Sequence, residues 1–183
     1  EGKFLYCIDL DCQDQLVGRI VHLAGRRAFD IEGLGPKQVE QLVQAGLVKS
    51  LEDVFTLAPK QAQLLELERW GARSTQNLLA QIERSKTPTL ARFLNGIGIR
   101  HVGESTAKDL ANHFGSLERL QSSTAEQLMA VDGVGEEVAA AVTEFFGSVK
   151  NQATLQPLAA AGVKQQESAG IPDGPTVSRA SAF

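Results

Sequence analysis

An all-α fold is predicted, and three observations predict it. A short glycine-centred string recurs four times, apolar residues at helical spacing surround the copies, and β-branched alternation of strand length is absent. Ile31-Glu32-Gly33-Leu34-Gly35 is followed four residues on by Val39, and Leu67-Glu68-Arg69-Trp70-Gly71 by Thr75. Ile99-Arg100-His101-Val102-Gly103 is followed by Ala107, and Val131-Asp132-Gly133-Val134-Gly135 by Ala139. The template is apolar-x-Gly-apolar-Gly-x-x-x-small, and its last glycine falls at 35, 71, 103 and 135, a period hard to produce by chance.

Taken in order, residues 1–13 hold both cysteines and no clear helix, and a helix is expected from about Asp14 to Arg27. After Gly35, Val39, Leu42 and Val43 share a helical face, which Gly46 can close from a left-handed cap. Ser50-Leu51-Glu52-Asp53 and Thr124-Ala125-Glu126-Gln127 resemble capping boxes. Pro59 and Pro88 suit the first position of new helices. Gln165 to Phe183, rich in Gly, Pro, Ser and Ala without apolar periodicity, reads as a linker or tail.

Composition narrows the function. No run of eighteen apolar residues exists, so a membrane span is not expected, and Glu1-Gly2-Lys3-Phe4 does not open a secretory signal. Two cysteines in 183 residues cannot make a disulfide framework, so a cytosolic origin is the default. The net charge of −4 hides an uneven distribution. Residues 19–108 carry thirteen Lys and Arg against nine acids, whereas residues 109–183 carry four against nine. A basic middle between acidic ends is a directed field.

The template on that basic segment points to phosphate. Its two glycines permit φ > 0 and remove Cβ atoms that would block close approach. A helix starting after the second glycine presents unpaired amides and the positive end of its dipole, an anion site that reads no base. Several such sites along a domain could follow a nucleic-acid backbone without specifying sequence. The candidate contacts are Gly33, Gly35, Gly71, Gly103, Arg19, Arg26, Arg27, Lys37, Arg73, Arg100, His101 and Lys108. Arg69 and His101 replace the first glycine in the middle copies and put a cationic side chain at the tip. Asp132, Glu136 and Glu137 flank the fourth copy and should repel phosphate, so turns one to three are expected to contact DNA and the fourth to pack. Trp70 stands at an apolar template position and is expected in the core.

Two stretches carry a resemblance. Cys7-Ile8-Asp9-Leu10-Asp11-Cys12 through Arg26-Arg27-Ala28-Phe29-Asp30-Ile31-Glu32-Gly33-Leu34-Gly35, and Gly98-Ile99-Arg100-His101-Val102-Gly103, closely resemble bacterial NAD-dependent DNA ligases. The likeness begins at the junction between zinc finger and helix-hairpin-helix domain and runs from about residue 7 to 163. It implies four helix-hairpin-helix motifs in two tandem pairs, a short irregular zinc-finger remnant and a flexible tail. The implied divisions are 1–27 for the partial finger and connecting helix, 28–163 for the DNA-binding domain, and 164–183 for a linker toward a BRCT domain. Cys7 and Cys12 match the second pair of the family's zinc ligands, and the first pair would precede Glu1. Two ligands are too few for structural zinc, so poor zinc binding is expected, with residues 1–13 loosely held.

The resemblance further implies a parent that seals 3′-OH/5′-phosphate nicks in replication and repair, and a bacterial, nucleoid-associated cytoplasmic location. NAD⁺ and Mg²⁺ would serve a catalytic domain, because no Lys-x-Asp-Gly string is present and the chain should be inactive alone. Its partners would be double-stranded or nicked DNA and the adenylation, OB and BRCT domains of the same protein, with the chain itself monomeric and no membrane involved. Two other classes stay open: the module of a repair nuclease or junction binder, and a protein-interaction scaffold, which the acidic residues 109–183 leave open for the C-terminal half. His22 and His113 are expected to be helix residues, neither metal ligand nor catalyst.

Overall fold

Leu16, Ile20, Leu23 and Ala24 lie on one side of a helix and are all buried, which defines α1 (Leu16–Ala24). In this computed structural model, residues 15–167 are described. They form ten α-helices joined by tight turns, with one isolated bridge between Thr89 and Gln166 and no strand among the described residues.

Each template copy joins two helices. The first hairpin is α1 with α2 (Pro36–Gln44), and the second is α3 (Gln61–Leu65) with α4 (Ala72–Ser85). The third is α5 (Leu90–Ile97) with α6 (Glu104–Phe114). After the short α7 (Leu117–Gln121), the fourth is α8 (Ala125–Met129) with α9 (Glu136–Gly147), and α10 (Val149–Ala160) follows. Hairpins one and three open on helices of nine and eight residues, hairpins two and four on helices of five. A left-handed residue, Asp30 (φ 55°) or Gly98 (φ 71°), immediately precedes the template turns of hairpins one and three. The long–short order is therefore repeated, as two tandem pairs.

Helix ends follow the local sequence. Gly46 (φ 69°) ends α2, with its N–H bonded to Val43 and that of Leu47 to Leu42; Gly162 (φ 92°) and Val163 end α10 in the same way. Thr124 and Gln127 form the expected reciprocal capping box. Three local expectations change. Ser50-Leu51-Glu52-Asp53 makes no capping box; the Asp53 carboxylate accepts the Lys49 N–H at 2.8 Å, and a 3₁₀ turn, Glu52–Thr56, follows. Pro59 lies in a second 3₁₀ turn, Ala58–Lys60. Pro88 stands just outside α5, because Thr89 supplies the side-chain cap to the Arg92 amide.

Helix α1 stops at Gly25, short of the expected Arg27. The chain folds back there, with the Phe29 N–H on the Leu23 carbonyl, and this buries Ala28 and Phe29. Phe29 then meets both halves: its ring centroid lies 5.4 Å from that of Phe55 and 6.1 Å from that of Phe93. Together with packing of α1 on α5, and of α10 on α9 and the Glu52–Thr56 turn, this makes one core of the two pairs. Lys164 to Gln166, at the start of the expected linker, are tied to the fold: the Lys164 and Gln166 N–H groups donate to the Lys86 and Pro88 carbonyls at 2.8 and 2.7 Å. Cys7, Cys12 and residues 168–183 lie outside the described residues.

Candidate nucleic-acid interface

The four turns share one backbone. In each, the second apolar residue of the template donates to the first: Leu34 to Ile31, Trp70 to Leu67, Val102 to Ile99 and Val134 to Val131, at 3.0–3.4 Å. The residue between them at the third turn position is left-handed in every copy: Gly33 (φ 89°), Arg69 (φ 68°), His101 (φ 63°) and Gly133 (φ 77°). Four residues past the second glycine, Val39, Thr75, Ala107 and Ala139 donate to that glycine's carbonyl and are buried. The turn is thus conserved across copies even where a side chain must bear the left-handed angle.

The second glycine behaves differently from expectation. Gly35, Gly71, Gly103 and Gly135 have φ between −80° and −89° and extended ψ, a conformation open to any residue. Packing does not demand glycine there either. A Cβ at Gly103 or Gly135 would meet nothing within 4 Å, one at Gly71 would meet Ser74 Oγ at 3.8 Å, and one at Gly35 only the mobile end of Gln38, at 3.1 Å. No side chain caps the helices these glycines begin, although α5, α7, α8 and α10 are capped by Thr89, Ser116, Thr124 and Ser148. The template helices therefore leave bare, uncapped first-turn amides at the surface, with the positive helix end behind them.

Hairpins one and three meet at a basic cleft of about 220 Å³ lined by Arg26, Arg27, Thr89, Arg92, Glu104 and Lys108. Arg27 Nε lies 3.4 Å from Glu104 Oε2, and Lys108 Nζ lies 3.1 Å from Glu104 Oε1. These cations hold the Glu104 carboxyl below the usual carboxylate range, chiefly through the Lys108 hydrogen bond and charge, which outweigh the opposing desolvation, with smaller help from Arg27 and Arg92.

Of the expected contacts, the cleft gathers Arg26, Arg27 and Lys108. Lys37 and Arg73 are exposed in the first turns of α2 and α4, beside Gly35 and Gly71. His101 is exposed at the third tip, next to exposed Gly103. Arg19 and Arg100 are elsewhere, lining a larger, mostly apolar groove with Gly98, Ile99, Ala141 and Phe145. Sequence reasoning missed Arg92, which lies outside every template copy and reaches the cleft only through the packing of α5; its guanidinium Nη1 donates to the Ala28 carbonyl at 3.5 Å. It also missed Glu104, the acid directly after Gly103, whose position in the string was a visible signal.

Trp70 is buried, with Nε1 donating to Gln41 Oε1 at 2.8 Å. His22 Nε2 lies 2.6 Å from the Asn95 carbonyl; a carbonyl cannot donate, so Nε2 carries the proton. His113 lies in the last turn of α6 against Phe114. Among the described residues, no group of three or more His, Cys, Asp or Glu could hold a metal ion, and no helix is long and apolar enough to cross a membrane.

Repeated helix-turn-helix units with bare N-terminal amides beside a basic cleft define a class of protein. Residues 26–84 match the family described as a SAM-like helix-hairpin-helix tandem, and residues 92–155 the family described as the helix-hairpin-helix motif, so both halves of the described fold carry helix-hairpin-helix motifs. Over 164 residues, 89% of its length, the chain is 42% identical to a DNA ligase of Acetivibrio thermocellus. It spans 25% of that ligase's length, and it is related to DNA ligase through this helix-hairpin-helix region.

Proposed function

We propose that the chain is the DNA-binding module of an NAD-dependent DNA ligase, gripping duplex DNA around a nick through the sugar-phosphate backbone. The observation that carries this is the second template glycine. Neither its backbone angles nor its neighbours require glycine, and serine, asparagine or aspartate would cap the helix better. What glycine does supply is room for an anion to approach the amides.

In this reading, hairpins one to three engage phosphates through Gly33, Gly35, Lys37, Gly71, Arg73, Arg100, His101 and Gly103, helped by Arg26, Arg27 and Lys108. The fourth hairpin packs, because exposed Asp132, Glu136 and Glu137 surround its amides with negative charge. Sealing of the nick would belong to an adenylation domain using NAD⁺ and Mg²⁺, and Cys7 and Cys12 would complete a zinc site with two further ligands. Residues 28–163 would form the binding unit, working in the bacterial cytoplasm during replication and repair.

Gel shifts and anisotropy with nicked, intact and branched duplexes at low and high salt test the proposal. Salt-sensitive, sequence-independent binding to duplex is expected. Absence of binding at low salt would favour a protein scaffold, and strong preference for flaps or junctions a repair nuclease. The Gly35→Ala/Gly71→Ala/Gly103→Ala variant should stay folded, since all three backbones accept alanine, and should lose most of its DNA affinity. Unchanged affinity in a folded variant would refute the amide mechanism.

A further inference from the structure

Glu104 is the first residue of α6, directly after Gly103, and its carboxylate lies in the basic cleft beside the third hairpin. The corresponding residues of hairpins one and two, Pro36 and Ala72, carry no charge. Each carboxylate oxygen holds a different cation: Oε1 takes Lys108 Nζ from the next turn of α6, and Oε2 takes Arg27 Nε from the segment after α1. Arg26 and Arg92 complete the cleft, so four cations surround one anion and positive charge remains in excess.

From this arrangement we propose that Glu104 is a built-in competitor of DNA phosphate, holding Arg27 and Lys108 when the cleft is empty and yielding them when the backbone docks. The inference rests on the DNA-binding reading and assigns Glu104 a regulatory place within that same site. Exposure makes the exchange cheap. The side chains of Arg27, Glu104 and Lys108 are 80%, 40% and 61% accessible, so both pairs are solvent-screened and weak. A phosphodiester offers the same single negative charge, plus oxygens that can also reach the uncapped amides of α6. The carboxyl remains ionised at neutral pH, so it competes under all ordinary conditions. Glu104 therefore lowers affinity while it keeps the two cations ordered and pointed into the cleft.

The experiment is fluorescence anisotropy with a labelled nicked duplex across a salt series, on folded protein checked by circular dichroism. Glu104→Gln should bind about threefold or more tightly at low salt, the loss of two weak pairs. Its plot of log K against log salt should steepen by about one unit, because removing one carboxylate leaves one more uncompensated positive charge to displace counterions. The remote carboxylate control, Glu126→Gln on α8, should leave both quantities unchanged. In an Arg27→Ala/Lys108→Ala background, adding Glu104→Gln should bring no gain. Equal or weaker binding by Glu104→Gln, an equal gain from Glu126→Gln, or a gain that survives loss of both cations would each overturn the proposal while leaving the DNA-binding reading intact. If the unaltered protein binds no DNA at low salt, both fall together.

Discussion

Gly96, the penultimate residue of α5, lies against the ring of Phe29: a Cβ built there would stand 2.8 Å from both Cδ2 and Cε2. Phe29 is 3% exposed and sits between Phe55 and Phe93, so its ring has nowhere to move. Alanine at position 96 would gain about 1 kcal/mol of helix propensity. Overpacking costs about 1–3 kcal/mol. Gly96→Ala is therefore expected to destabilise by up to roughly 2 kcal/mol in denaturant titration. In a Phe29→Leu background the same change should cost far less, and additive effects of the two substitutions would show that the close approach is not the cause.

The left-handed tips give a prediction of opposite sign. His101 holds φ 63° with a side chain, at a site where Gly33 and Gly133 stand in other copies. His101→Gly should stabilise the fold by roughly 0.5–1 kcal/mol, the left-handed penalty of about 1–2 kcal/mol less the extra chain entropy of glycine. Gly133→Ala should lose about 1–2 kcal/mol for the same reason. Thermal melts of the two variants should move in opposite directions. A His101→Gly protein that is more stable but binds DNA more weakly would show that strain at this tip serves contact.

Charge at the hairpins is separable by salt. Arg27→Ala and Lys37→Ala should each reduce the salt slope of log K by about 0.9 if each loses one phosphate contact. Reversal of Glu136 and Glu137 to Lys tests the fourth hairpin. Little change in low-salt binding relative to matched remote reversals is expected of a hairpin that packs, and a large gain confined to this site would mean that it faces DNA.

Acid pH reports the Glu104 pairing without any ligand. Its carboxyl titrates below the usual carboxylate range, mainly through Lys108, so the pairing favours the folded state above the unfolded carboxyl's midpoint. That contribution is lost as pH falls through the lower, folded midpoint. A carboxyl-carbon NMR titration should show the Glu104 midpoint rising toward an ordinary glutamate in Lys108→Met. A midpoint that stays put would remove Lys108 as its cause.

Sequence was sufficient for whatever is decided within about ten residues of chain. The template turns, the Gly46 cap, the Thr124–Gln127 box and the all-α class were legible because each depends on backbone angles or on bonds between near neighbours. Local reading also overreached. Ser50 and Asp53 have the composition of a capping box, yet the Asp53 carboxylate turned to the Lys49 amide, and α1 ended at Gly25 so that Phe29 could enter the core.

Tertiary structure alone decided where the charges meet. Arg27, Arg92 and Glu104 lie on separate elements, and nothing in their local strings pairs them; α1 must pack on α5, and α5 turn into α6, before they share a cleft. The same packing carried Arg19 and Arg100 to a different groove, although their residue type and neighbourhood matched those of the cleft arginines. A turn needs only its own residues to be stable, whereas an electrostatic site needs surfaces that the chain brings together only by burying its apolar faces.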